Sequence, residues 1–120
     1  MTWKNFTREE FACKCGCGKN EILDKTIDFA QSIRTEVGFP LAVTSGYRCK
    51  DHPIEKRKAA PGTHNRGIAV DFAVSGRDGK VVAQAILARA VGGVGINMKG
   101  GGRFVHFDID PSRLDRFWTY

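Results

Sequence analysis

Two imidazoles and one carboxylate, His64, Asp71 and His106, are the residues best suited to chemistry. They stand in the stretches Thr63-His64-Asn65-Arg66-Gly67-Ile68-Ala69-Val70-Asp71 and Phe104-Val105-His106-Phe107-Asp108. A hydrolytic Zn²⁺ takes three protein ligands of these types and leaves its fourth position open to water. Taken singly, each has a plainer reading, as a buried histidine, a turn histidine and a capping aspartate. Taken together in these surroundings, they are read as the ligands of one catalytic zinc ion.

The elements around them must bring the three together. Residues 67–74 read as a strand whose alternation turns Ile68, Val70 and Phe72 to one side and Ala69, Asp71 and Ala73 to the other. Residues 103–109 repeat the pattern, with Val105, Phe107 and Ile109 opposite Phe104, His106 and Asp108. Two such strands sharing a core face would hold Asp71 and His106 side by side. His64 precedes its strand, after a Pro61-Gly62-Thr63 turn able to fold it over the site. Leu23, Ile27, Ala30, Ile33 and Val37 recur at helical spacing, which predicts a helix over 22–37 stopped by Gly38 and Pro40. A second helix is expected over 80–91, after a turn at 75–79 and before Gly92-Gly93. Thr7-Arg8-Glu9-Glu10 is a capping box opening a short helix. Residues 41–47 are strand-like and deliver Arg48 at their end, and 49–62 read as an irregular loop. Strands at 94–97 and 103–109, joined through Lys99-Gly100-Gly101-Gly102, suggest a hairpin. The expected architecture is α+β, a small antiparallel sheet packed with two main helices.

At 120 residues the chain suffices for a single domain over 1–120 and not for two. No apolar run approaches the roughly 20 residues of a membrane span, and the first residues do not resemble a signal peptide. Synthesis in the cytoplasm is therefore expected. The net charge of +6 favours anionic partners such as envelope polymers. The basic residues are scattered, with one cluster at Lys56-Arg57-Lys58, so no specific nucleic-acid recognition is expected. Cys13, Cys15, Cys17 and Cys49 leave three readings open, namely a disulfide to Cys49, a second structural zinc site, or free thiols.

The stretches Ser45-Gly46-Tyr47-Arg48, His64 to Asp71 and Phe104 to Asp108 together resemble the M15 zinc peptidases, the D-alanyl-D-alanine carboxypeptidase family. That family includes dipeptidases and phage endolysins that cut peptidoglycan stems, and the hedgehog signalling domain shares its fold. The resemblance implies that His64, Asp71 and His106 bind one Zn²⁺ and that Arg48 stabilises charge developing on the substrate carbonyl oxygen. A surface ion pair is the plainer reading of Arg48. Many members carry an acid three residues before the last zinc histidine; here that position is Arg103. Asp108, about 6.6 Å from His106 along the strand, is then the candidate general base, with orientation of His106 or direct ligation as its alternatives. Ser45, Tyr47, His52 and Trp118 are candidate substrate contacts, and Tyr120 joins Trp118 as a possible cleft wall.

The function expected is that of a zinc peptidase acting on peptidoglycan at the cell wall, of the short phage-endolysin type, working as a monomer. The rival expectation is a binding module that keeps zinc without catalysis. The missing acid at position 103 is its support.

Overall fold

The computed structural model describes residues 2–89 and 91–120. The first long element, α1 (Asp24–Val37), buries Ile27, Ala30 and Ile33, the stripe expected from their spacing. It stops at Gly38, whose φ of 77° places it in the left-handed region while its N–H bonds the Arg34 carbonyl. A side chain there would be strained, which is why the helix ends at a glycine. Ahead of it, Thr7 and Glu10 cap one 3₁₀ turn (Arg8–Phe11), with the Glu10 carboxylate accepting the Thr7 N–H at 2.9 Å. That turn drives Phe11 fully into the core.

Five strands follow in the sheet order β1-β2-β4-β3-β5, being β1 (Ala42–Ser45), β2 (Ala69–Ala73), β3 (Val94–Asn97), β4 (Phe104–Asp108) and β5 (Phe117–Thr119). β1, β2, β4 and β3 pair antiparallel in turn, and the expected hairpin is the β3–β4 pair. The last pairing is parallel, β3 with β5, and adds a strand that periodicity over three residues did not mark. The sheet is thus antiparallel but for its C-terminal edge.

Strand parity behaves as expected. Val70, Phe72, Val105 and Phe107 are fully buried, and the Phe72 and Phe107 rings lie 5.8 Å apart in the core beneath α1. Side chains of this size each contribute about 2 kcal/mol on burial. The alternate residues Asp71 and His106 point to the other face, directly opposite each other in the ladder.

Two local expectations are corrected. α3 (Gly76–Leu87) begins inside the segment read as a turn, with extended Ser75 as its cap and Asp78 in its first turn. Gly76 and Gly79 argue against a helix by propensity, but Gly79 is buried and a Cβ on it would come within 2.8 Å of Met98. The helix forms despite both glycines, with Gly79 buried against the Met98 side chain. The segment read as irregular contains α2 (Pro53–Lys56), opened by a proline in its first turn. Among the described residues, no helix is long and apolar enough to cross a membrane.

Candidate metal centre

The β2–β4 register sets Asp71 opposite His106, and a tight turn brings in the third member. Residues 62–68 fold back through bonds from Arg66 N–H to Gly62 O, Gly67 N–H to His64 O and Ile68 N–H to Thr63 O. His64 Nε2, His106 Nδ1 and Asp71 Oδ1 then form a triangle with sides of 3.2, 2.9 and 3.3 Å. Ligands about 2.0–2.1 Å from a tetrahedral zinc are separated by about 3.3 Å, so the donor spacing and types fit that ion.

Each imidazole is held from behind. His64 Nδ1 donates to the Gly46 carbonyl at 2.8 Å, which leaves the Nε2 lone pair facing Asp71. His106 Nε2 meets Asp108 Oδ2 at 3.3 Å, leaving Nδ1 toward the triangle. Burial drives the His64 pKa down and favours its neutral form. Burial alone would raise the Asp71 carboxyl, but hydrogen bonds with His106 and His64 outweigh it and hold the group well below the ordinary carboxylate range. Burial opposes charge on His106 too, yet bonds to Asp108 and Asp71 raise its pKa. The proton taken up there occupies a lone pair for which a cation would compete.

Asp108 is fully buried. Its carboxylate accepts from Gly93 N–H at 2.8 Å and Arg113 Nε at 3.2 Å besides His106 Nε2, the ring nitrogen turned away from the triangle. Asp108 lies two residues along β4 from His106, as the sequence places it, and its Oδ2 addresses the back of the imidazole.

Arg48 follows β1 and is largely buried. Nε donates to Ser45 Oγ at 3.0 Å, while Nη1 lies 3.6 Å from Glu55 Oε2 and Nη2 3.5 Å from Asp71 Oδ2. It is therefore no surface ion pair. The backbone around it is tied to the histidine segment, with Arg48 N–H donating to His64 O and Asn65 Nδ2 donating to Arg48 O at 2.8 Å.

These groups line a cleft of about 620 Å³ whose walls include Ser45, Arg48, His64, Asp71, His106, Trp118 and Tyr120. The Trp118 ring lies 5.2 Å from that of His106, and Arg113 stacks over its indole at 5.6 Å. A Cβ on Gly95 would fall 2.6 Å from the indole, so β3 must carry glycine for the ring to lie flat across it. Arg48, Lys58, Arg66 and Arg113 make the cleft cationic, and Asp71 is the one carboxylate lining it among the described residues.

Two expected substrate contacts are corrected. Tyr47 is buried in the core and donates its hydroxyl to Glu21 at 2.8 Å. Burial, with Glu21 beside it, pushes that hydroxyl up to about 12. His52 is the N-cap of α2, its Nδ1 accepting from Ile54 N–H at 3.1 Å. Neither lines the cleft. Sequence reasoning missed Glu55, a buried carboxylate that also takes Lys58 at 2.9 Å and the Gly62 N–H at 3.3 Å. Its place in a polar Lys-rich segment gave no signal, since only the fold buries it beneath Arg48.

Comparison with protein families matches residues 4–108 to Peptidase M15. The chain belongs to this peptidase family. The matched span contains His64, Asp71, His106 and Arg48, whereas the strand bearing Trp118 lies beyond it. No curated protein matches the chain.

Proposed function

We propose that the protein is a single-domain, zinc-dependent peptidase that hydrolyses amide bonds in the peptide stems or crosslinks of bacterial peptidoglycan, in the manner of a short phage endolysin acting at the cell wall. The observation that carries this reading is the triangle of His64, Asp71 and His106 on a wall of a cationic cleft. Zinc held by those three residues supplies a Lewis acid and lowers the pKa of water to about 7. Arg48, aligned by Ser45 and Glu55, donates to the oxyanion that develops on the scissile carbonyl. Lys58, Arg66 and Arg113 offer partners to the carboxylates that stem peptides carry. Trp118 and Tyr120 provide an apolar wall along the bound peptide.

Asp108 acts on this reading as a positioning residue, the second of the roles weighed for it. Asp108→Asn should weaken zinc binding about 10–100-fold, as loss of a carboxylate behind a metal histidine does; unchanged affinity with lost turnover would return it to the role of base. Arg48→Met should lower kcat about 10²-fold with zinc content intact. Glu55 keeps Lys58 and the Gly62 amide in that variant, so the fold should survive. An unchanged kcat would remove Arg48 from the reaction.

The absence of a free acid lining the cleft among the described residues favours one alternative, a zinc-containing module that binds the wall or a partner without cutting. Mass spectrometry of purified peptidoglycan after incubation, beside chelator-treated protein, separates the two. New peptide fragments that vanish with chelator support the peptidase and identify the bond from their masses. Intact stems from zinc-loaded protein would replace it with the binding module.

A further inference from the structure

We infer that Cys13, Cys15, Cys17 and Cys49 form a second metal site, a tetrathiolate cage for a structural Zn²⁺ that fastens the N-terminal segment beneath the loop carrying Arg48. The four Sγ atoms all lie within 4.8 Å of one another. Cys15 Sγ is 3.4 Å from Cys13 Sγ and 3.5 Å from Cys49 Sγ. Thiolates about 2.3 Å from a tetrahedral zinc are separated by about 3.8 Å, whereas a disulfide requires about 2.05 Å. Cys15 is nearly equidistant from two partners. A single S–S bond would use one of them and leave the other thiol beside it.

The backbone is shaped to the cluster. Cys49 N–H donates to Cys13 Sγ and Lys19 N–H to Cys17 Sγ, each at 3.3 Å, and such donors favour sulfur in its anionic, metal-binding form. The loop turns through Gly16 and Gly18, with φ of 96° and 74°, and closes by a bond from Cys13 N–H to Lys19 O at 2.9 Å. From Lys14 to Lys19 every residue is exposed and none is a large apolar side chain. Little but the sulfur atoms is available to hold this loop in place. Binding converts four thiols to thiolates, forms four Zn–S bonds and releases the thiol protons to solvent. The net charge of −2 that results falls in segments that also carry Lys14, Lys19 and Lys50 in sequence.

Its position gives the site a task. Phe11, two residues before Cys13, accepts Tyr47 N–H at 2.8 Å through its carbonyl, and a Cβ on Gly46 would fall 2.6 Å from that oxygen. Gly46 in turn holds the His64 ring, and Cys49 follows Arg48 directly. A metal joining Cys49 to the 13–17 loop would therefore fix the segment that orients both His64 and Arg48.

The test is metal analysis of the purified full chain, as wild type, as His64→Ala and as the double variant Cys15→Ser/Cys17→Ser, whose positions are exposed. Elemental analysis with native mass spectrometry should count two zinc ions in the wild type and one in each variant, following the two ligand groups. Cobalt(II) loading should give thiolate-to-cobalt charge-transfer absorption in the wild type and in His64→Ala, and none in the double cysteine variant. Should the His64 site fail to hold zinc, wild type and His64→Ala would each retain one ion with that absorption, which leaves this inference standing. A wild-type mass short by two hydrogens, indicating a disulfide, would overturn it. So would four thiols that alkylate freely in zinc-loaded native protein.

Discussion

His64→Ala is expected to remove the metal from the His64–Asp71–His106 triangle and to reduce hydrolysis by about 10³-fold or more. The Lewis-acid contribution at stake is several kcal/mol, and each 1.36 kcal/mol is about tenfold in rate. The substitution deletes one corner of a triangle whose sides are 2.9 to 3.3 Å. It also strips the Gly46 carbonyl of its donor. Two members of the triangle remain, Asp71 and His106, and they would sit as an ion pair, since His106 already has a raised pKa between Asp71 and Asp108. The measurement is zinc content beside turnover of peptidoglycan fragments. Retention of the metal at this site with full turnover would dismiss the triangle as the catalytic centre.

Gly67→Ala should have the largest effect on stability, a loss of about 4 kcal/mol. Gly67 has a φ of 73°, and a Cβ there would lie 2.2 Å from the Glu21 carbonyl oxygen and 3.2 Å from Ile22 Cα. The left-handed conformation costs an alanine about 1–2 kcal/mol, and forcing backbone apart in a packed interior adds about 1–3 kcal/mol. The obstruction is main chain, which cannot rotate aside. The Gly67 carbonyl also accepts Leu23 N–H at 3.0 Å and the buried Thr26 hydroxyl at 2.7 Å, so the start of α1 is bonded to the entrance of β2. For a domain of this size the midpoint of thermal unfolding should fall by more than about 10 °C. A shift of only a few degrees would show that the junction yields without strain.

Much of this was legible in the chain because it follows from periodicity. Alternation along 67–74 and 103–109 assigned Asp71 and His106 to one face, and the ladder pairs them directly. The stripe from Ile27 to Ile33 defined α1, and Gly38 defined its end. Two failures were local, the proline-opened turn α2 and its His52 cap inside a segment read as irregular; the others arise from interactions between residues far apart in sequence. Gly76 and Gly79 obscured the start of α3, although Gly76 takes a φ of 56° that suits glycine and Gly79 packs against the Met98 side chain of a later segment. β5 is three residues long and becomes a strand only by pairing with β3. Tyr47 carries a polar tip that suited a substrate contact until the fold directed it to Glu21.

Residue types and their spacing were enough to determine which groups could bind a cation, which strands would carry two of them, and the α+β class, because ligand chemistry and strand parity are local properties. Tertiary structure alone decided which nitrogen each histidine turns to the site, that Asp108 stands behind His106, and that buried Glu55 sits beneath Arg48. It alone also gathers Cys49 to the 13–17 loop. Those decisions rest on hydrogen bonds and close approaches between segments up to 42 residues apart, and no pattern within one segment encodes the orientation of its neighbours in space.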